Sequence, residues 1–132
     1  MDQLFARWQP FALSLVRFIA GLLLFQYGIA KLFKFPAVPM FANVQITSLP
    51  GIAGLLELVL GGLLMIGLLT RPVAFILAGE MAFAYFIAHF PRSFYPLING
   101  GSLAIALCFI CLYLSTAGAG PISVDAVMRK KG

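Results

Sequence analysis

The chain is 132 residues long, 62% hydrophobic and only 10% charged. A soluble domain carries about 25% charged residues, so no ordinary water-facing surface can be built from this composition, and the length fits one membrane domain. The net charge of +5 is no nucleic-acid signal: Arg129-Lys130-Lys131 supply three of the nine basic residues, and most others punctuate segment ends. That pattern fits a topology signal and contact with anionic lipid.

Residues 1–10 form a short polar lead, in which Arg7 and Trp8 suit the headgroup region. Residues 11–33 form the first span, since about 20 apolar residues cross a bilayer core. On a helix, Arg17, Gly21, Gly28 and Lys31 fall within about 80° of one another. That face must meet protein, because lipid would satisfy neither charge. The run is too long for a signal-peptide core, is interrupted by Arg17 and lacks a small-residue cleavage site. Residues 34–50 hold Pro36, Pro39 and Pro50 and read as a loop. Its apolar Val38, Met40, Phe41 and Val44 lay it on the membrane surface.

Residues 51–70 form the second span. Gly54 and Gly61 flank Glu57 on one face and leave room for a ligand to approach. Arg71-Pro72 makes a tight turn, and the third span, 73–90, carries Glu80 and His89. Residues 91–98 are an aromatic, proline-bounded loop. The fourth span, 99–117, opens with Asn99-Gly100-Gly101-Ser102. The chain leaves through Gly118-Ala119-Gly120-Pro121 into a polar, basic tail. Gly61, Gly62, Gly67 and Gly79 read as close helix contacts.

The fold class is therefore an all-α membrane protein, an antiparallel bundle of four transmembrane helices over residues 1–132. Arg7, Arg71, Arg129, Lys130 and Lys131 fall on one side, Lys34 and Arg92 on the other, with Lys31 at the border. By the positive-inside rule both termini are cytoplasmic.

The order and spacing of several motifs resemble the DoxX family of small four-helix bacterial membrane proteins. They are Arg17-x3-Gly21-x6-Gly28-x2-Lys31, Gly54-Leu-Leu-Glu57-Leu-x2-Gly61-Gly62-x4-Gly67-Leu and Thr70-Arg71. Phe94-Tyr-Pro96-Leu-Ile-Asn99-Gly-Gly101 and Gly118-x-Gly120-x2-Ser123-x-Asp125 complete the set. The family often has an acidic residue after the glycine pair that opens the last helix; here Ser102 stands there, so a proton role for that acid has no counterpart. The resemblance implies a multi-pass protein of the bacterial plasma (inner) membrane. Some relatives are described as subunits of quinone-linked oxidoreductases such as thiosulfate:quinone oxidoreductase. A quinone is the cofactor so implied. The implied partners are membrane lipids, soluble or membrane oxidoreductase subunits and a second copy of the chain.

Depth along the spans sorts the buried charges. At about 1.5 Å per residue, Arg17 and Glu80 lie roughly 9–10 Å above the inner edge of the core. Glu57 lies roughly 9 Å below the outer edge, near Lys31 and His89. Two layers are expected: Arg17 with Glu80, and Lys31 with Glu57, His89 and Asn99, with Gln26 and Tyr27 as further hydrogen-bond donors. Such pairs either fix which helices pack together or bind a ligand. Glu57 is the leading functional candidate.

Cys108-x-x-Cys111 is the spacing of membrane thiol–quinone oxidoreductases, which relay electrons from further cysteines in an outer loop. This chain has no others. With Asn99 turned to the bundle, the two thiols are expected to face lipid or a second protein, as small apolar residues. There is no zinc-ligand spacing, phosphate loop or nucleophile motif, so no metal site is expected. A single His also argues against haem. The leading reading is a quinone-associated subunit of a membrane oxidoreductase, with Lys31, Glu57, His89, Asn99 and Tyr27 as ligand contacts. The alternative is a non-catalytic assembly subunit. A small transporter is weaker, for want of inverted repeats and broken spans.

Overall fold

The computed structural model describes residues 2–35, 44–45 and 47–131, and these are helical apart from short connections. The loop expected around Pro36, Val38, Pro39, Met40 and Phe41 lies outside the described residues. Helix α1 spans Asp2–Phe33, α2 Leu49–Ile66, α3 Thr70–Ala84, α4 Pro96–Asn99, α5 Ser102–Ala117 and α6 Val124–Lys131. Beyond Ala84, α3 widens into a π-helical turn at Tyr85–His89 and tightens into a 3-10 turn at Phe90–Arg92. Asp2–Phe33, Leu49–Ile66 and Thr70–Arg92 are each long and apolar enough to cross a membrane. Helix α5 is apolar but has 16 residues, about 24 Å of rise against a core of about 30 Å.

Several boundaries differ from the sequence expectation, each for a local reason. The expected lead is the start of α1, where Asp2 sets a negative charge in the first turn and Pro10 is carried inside the helix. Helix α2 stops at Ile66 because Gly67 takes φ +74°. Its amide donates to Leu64 O (3.1 Å) and that of Leu68 to Leu63 O (3.0 Å), which satisfies the last carbonyls as a Schellman cap. Gly67 is thus primarily a cap, not the expected helix contact. Arg71-Pro72 is likewise no turn but the first turn of α3, where proline's missing N–H is no loss. Gly100, at φ +75°, ends α4 and leaves Asn99 in the turn ahead of α5.

Helices α1 and α2 pack most closely. A Cβ on Gly28 would lie 2.5 Å from Leu58 N, and one on Gly21 would lie 2.6 Å from Met65 N. One on Gly61 would lie 2.8 Å from Phe25 N, and one on Gly54 the same distance from the Lys31 side chain. Rising numbers on α1 meet falling numbers on α2, so the two run antiparallel. Small residues let the backbones approach, as in other membrane helix pairs. The space beside Glu57, expected to admit a ligand, is therefore filled by α1. Gly62 makes only ordinary contact with Phe25, and Gly79 meets nothing within 4 Å, against the expectation of a helix contact.

Helices α3 and α5 form a second antiparallel pair. Tyr85 lies over Gly101, and Arg71 lies under Gly118. Leu77, Ala78, Met81, Leu107, Cys111 and Leu114 share the core between the two pairs with Ala20, Leu24 and Leu64. The outer surface is apolar: Leu15, Ile52, Val59, Phe75, Ile76, Phe83, Phe109 and Leu112 are all exposed. Such a belt suits lipid and would be untenable in water.

Candidate functional site

Buried polar groups gather in three places. The first lies where α1, α2 and α3 meet. Lys31, in the last turn of α1, donates from Nζ to Glu57 Oε1 at 2.9 Å, and the two side chains are only 14% and 3% exposed. The same ammonium lies 5.9 Å from the centre of the Tyr27 ring, within cation–π range. Gln26 faces outward. Glu80 of α3 lies beside the Glu57 carboxyl and within the field of Lys31. Both its oxygens are buried, and neither makes a hydrogen bond of good geometry. Two carboxyls and one ammonium thus share the site. One proton held between the carboxyls leaves the three groups neutral together, whereas its loss leaves one net negative charge, so the cluster has the chemistry to hold a proton and to give it up only to an acceptor that takes it directly.

This placement corrects the expected Arg17–Glu80 pair. Arg17 lies at the opposite end of the bundle and is 4% exposed. Its Nη1 donates to Ala119 O and Ile122 O, both at 2.9 Å, and its Nη2 to Met65 O at 3.1 Å. Met65 O is one of the orphan carbonyls that end α2, where a guanidinium is favoured. The charge of Arg17 is thus met by backbone oxygens, with Asp125 nearby as the acidic group.

Around Arg17 the exit segment is tied to the bundle. Ser14 Oγ accepts from Ile122 N (3.1 Å), and Gly120 lies so close to Ser14 that any Cβ would clash. Ser123 Oγ accepts from Ala126 N (3.1 Å) and starts α6. Asp125 caps α3 from 55 residues away: Oδ1 accepts from Leu69 N (2.8 Å) and Oδ2 from Thr70 N (2.9 Å). Leu69 itself has no capping side chain and takes φ +54°, so Asp125 also holds an unfavourable backbone. Burial pushes the Asp125 carboxyl up, but the Thr70 and Leu69 amides and nearby Arg129 outweigh it and hold it below its ordinary value. Ser14, Ser123 and Asp125 were not picked out as functional from sequence. For Ser123 and Asp125 the signal was the Gly118-x-Gly120-x2-Ser123-x-Asp125 spacing; Ser14 lies outside it.

The third cluster corrects the expected single layer of Lys31, Glu57, His89 and Asn99. Asn99 is 1% exposed and fully engaged. Its Nδ2 donates to Tyr85 Oη (3.1 Å) and Ser93 O (2.9 Å), and its Oδ1 accepts from Gly101 N (2.8 Å). His89 Nδ1 lies 3.1 Å from Asn99 O, and its ring stacks on Tyr85. Asn99 and His89 therefore knit the loop to the π-helical turn, and Tyr85 is the partner the sequence reading missed. Phe86, Phe90, Phe94 and Tyr95 continue an aromatic ladder outward, as suits a membrane interface.

The thiols are placed differently from expectation. Both are free; Cys108 is half-buried, and Cys111 is fully buried in the core rather than facing lipid. The face of α5 that carries Cys111 meets α3, because Asn99 sits in the preceding turn and does not set the helix's orientation. Among the described residues, no three His, Cys, Asp or Glu side chains come together as a metal site requires.

The DoxX family model matches residues 12–90, which contain Lys31, Glu57 and Glu80. An uncharacterized protein of Haemophilus influenzae is 35% identical over 129 residues, covering 95% of this chain and 96% of its own length. No solved structure matches.

Proposed function

The chain belongs to the DoxX family, and from that premise we propose that it is a quinone-associated subunit of a bacterial inner-membrane oxidoreductase. In this reading Ser102–Ala117 is the fourth span of an antiparallel bundle, helped across by the Pro96–Asn99 turn. Both termini are cytoplasmic, supported by Arg7, Arg71, Arg129, Lys130 and Lys131 on that side. The observation that carries the reading is the Lys31–Glu57–Glu80 cluster, in which a buried carboxyl has hydrogen-bonding capacity to spare.

A quinone supplies carbonyl oxygens that accept hydrogen bonds, and its reduction takes up protons. The donor set fits: the Lys31 ammonium and a protonated Glu80 carboxyl can each offer a hydrogen to a carbonyl oxygen. Glu57 holds Lys31 in place and shares the proton with Glu80. Tyr27 covers the ammonium. The redox centre that delivers electrons belongs to a partner protein.

The test is native mass spectrometry of the gently purified protein with organic extraction of what co-purifies. A stoichiometric quinone in the wild type, lost in Glu57→Gln and Glu80→Gln, is the expected result. Its absence from wild-type protein carrying a bound partner would favour the second reading, an assembly subunit. That alternative draws support from Arg17 and Asn99, whose hydrogen bonds go to the protein's own backbone and Tyr85.

A further inference from the structure

At the Arg17 end of the bundle, a groove of about 420 Å³ opens between the start of α3 and α6. Its walls are of two kinds. Leu68, Leu69, Pro72 and Met128 are apolar, while Arg71 and Arg129 carry positive charge. The groove lies where α2 ends and α3 begins, and both are helices fit to cross a membrane. It therefore sits at headgroup level, with its apolar wall toward the acyl chains.

Two details make this more than a basic surface. The Nε/Nη2 edge of the Arg71 guanidinium is turned toward Gly118, whose absent side chain makes the room: a Cβ there would be 3.1 Å from Nη2 and 3.2 Å from Nε. Gly118, at φ +89°, is also a position that disfavours other residues. Among the described residues Arg71 makes no hydrogen bond or ion pair, so its guanidinium donors are positioned and unspent. The carboxylate in the groove, Asp125, has both oxygens turned to Leu69 and Thr70 amides. It leaves Arg71 free while lying near Arg129.

We propose that this groove binds one anionic phospholipid, with Arg71 and Arg129 on the headgroup phosphate and Leu68, Leu69, Pro72 and Met128 against the lipid body. Guanidinium forks match phosphate oxygens better than a point charge does. The proposal needs only the membrane placement of α2 and α3 and stands apart from the reading of Lys31, Glu57 and Glu80.

The test is native mass spectrometry of the full chain, delipidated in detergent and titrated with phosphatidylglycerol or phosphatidylcholine of the same acyl chains. Phosphatidylglycerol should bind first and at one copy. A surface cation is worth about 1 kcal/mol toward an anionic headgroup, so Arg71→Gln and Arg129→Gln should each weaken that preference about fivefold. Arg71→Lys should recover only part of it, and Arg7→Gln, which removes an equal charge outside the groove, should change nothing. Equal binding of both lipids, an equal effect of Arg7→Gln, or full recovery with Arg71→Lys would overturn the proposal. So would displacement of the lipid by millimolar inorganic phosphate, which would point to a free anion as the occupant. Circular dichroism and gel filtration confirm that each variant is folded before it is scored.

Discussion

Replacing Lys31 and Glu57 singly and together separates a fixing role from a binding role. Glu57 is 2% exposed and forms an ion pair with Lys31 at 2.9 Å. Lys31→Met therefore strands a carboxylate already crowded by Glu80, and breaking a buried pair in this way costs about 3–5 kcal/mol. Glu57→Leu is milder, about 1–2 kcal/mol, because Lys31 sits in the last turn of α1 and can extend its ammonium toward the interface. The double variant removes both charges and leaves two apolar side chains of similar bulk. It should come within about 1 kcal/mol of wild type, which makes the coupling about 3 kcal/mol or more. Reversible unfolding in mixed detergent micelles, followed by circular dichroism, measures all three. Additive single costs, with coupling below about 0.5 kcal/mol, would refute the claim that the two residues act as a buried pair. The same double variant also reports on binding: a stable protein that has lost its co-purifying quinone supports the ligand site, whereas unchanged function supports a purely structural pair.

Arg17→Met leaves the carbonyls of Met65, Ala119 and Ile122 without their donor. The expected loss is about 2–5 kcal/mol, from the low value per bond seen between membrane helices to the higher value for charged donors. Arg17→Lys, which cannot fork to three oxygens, should restore only part of it in the same unfolding assay. Gly28→Leu would drive a side chain into the Leu58 backbone and should cost about 1–3 kcal/mol, while Gly79→Leu, with open space around it, should stay within about 0.5 kcal/mol. The Asp125 carboxyl is held below its ordinary value, so its contribution is present above that value and is lost as pH falls through the lowered one. Hydrogen exchange at the Leu69 and Thr70 amides should therefore be slow near neutrality and gain relative speed in acid; Asp125→Asn should speed it near neutrality and flatten the dependence.

The residues that sequence placed well are those whose partners lie on the next span at the same depth. Lys31 and Glu57 meet because consecutive helices run antiparallel: Lys31 packs beside Gly54, and its long side chain reaches the one further turn to Glu57. Glu80 was misplaced because it stands ten residues, about 15 Å, into an α3 that starts at Thr70, while Met65 O and Ile122 O hold the Arg17 guanidinium at the end where α2 stops. Arg17 was misread for a different reason. A search for opposite charges overlooks backbone carbonyls, and nothing in a helical wheel announces that Ala119 and Ile122 will return to α1. Asn99 was legible as a polar residue near the right end, but the αL turn at Gly100 that gives it to the loop depends on its surroundings. Asp125 caps a helix it does not precede, and no local capping rule can find a donor pair 55 residues away.

Arg17 also ties the chain to its own order of synthesis. It is among the first residues made within the bundle, yet two of its three oxygen acceptors, on Ala119 and Ile122, arrive more than a hundred residues later. Until then its guanidinium has only Met65 O from α2. The α1–α2 and α3–α5 pairs each carry polar contacts of their own at the opposite end. A chain that stops before residue 119 keeps the Arg17 guanidinium on Met65 O alone, short of two of its three acceptors.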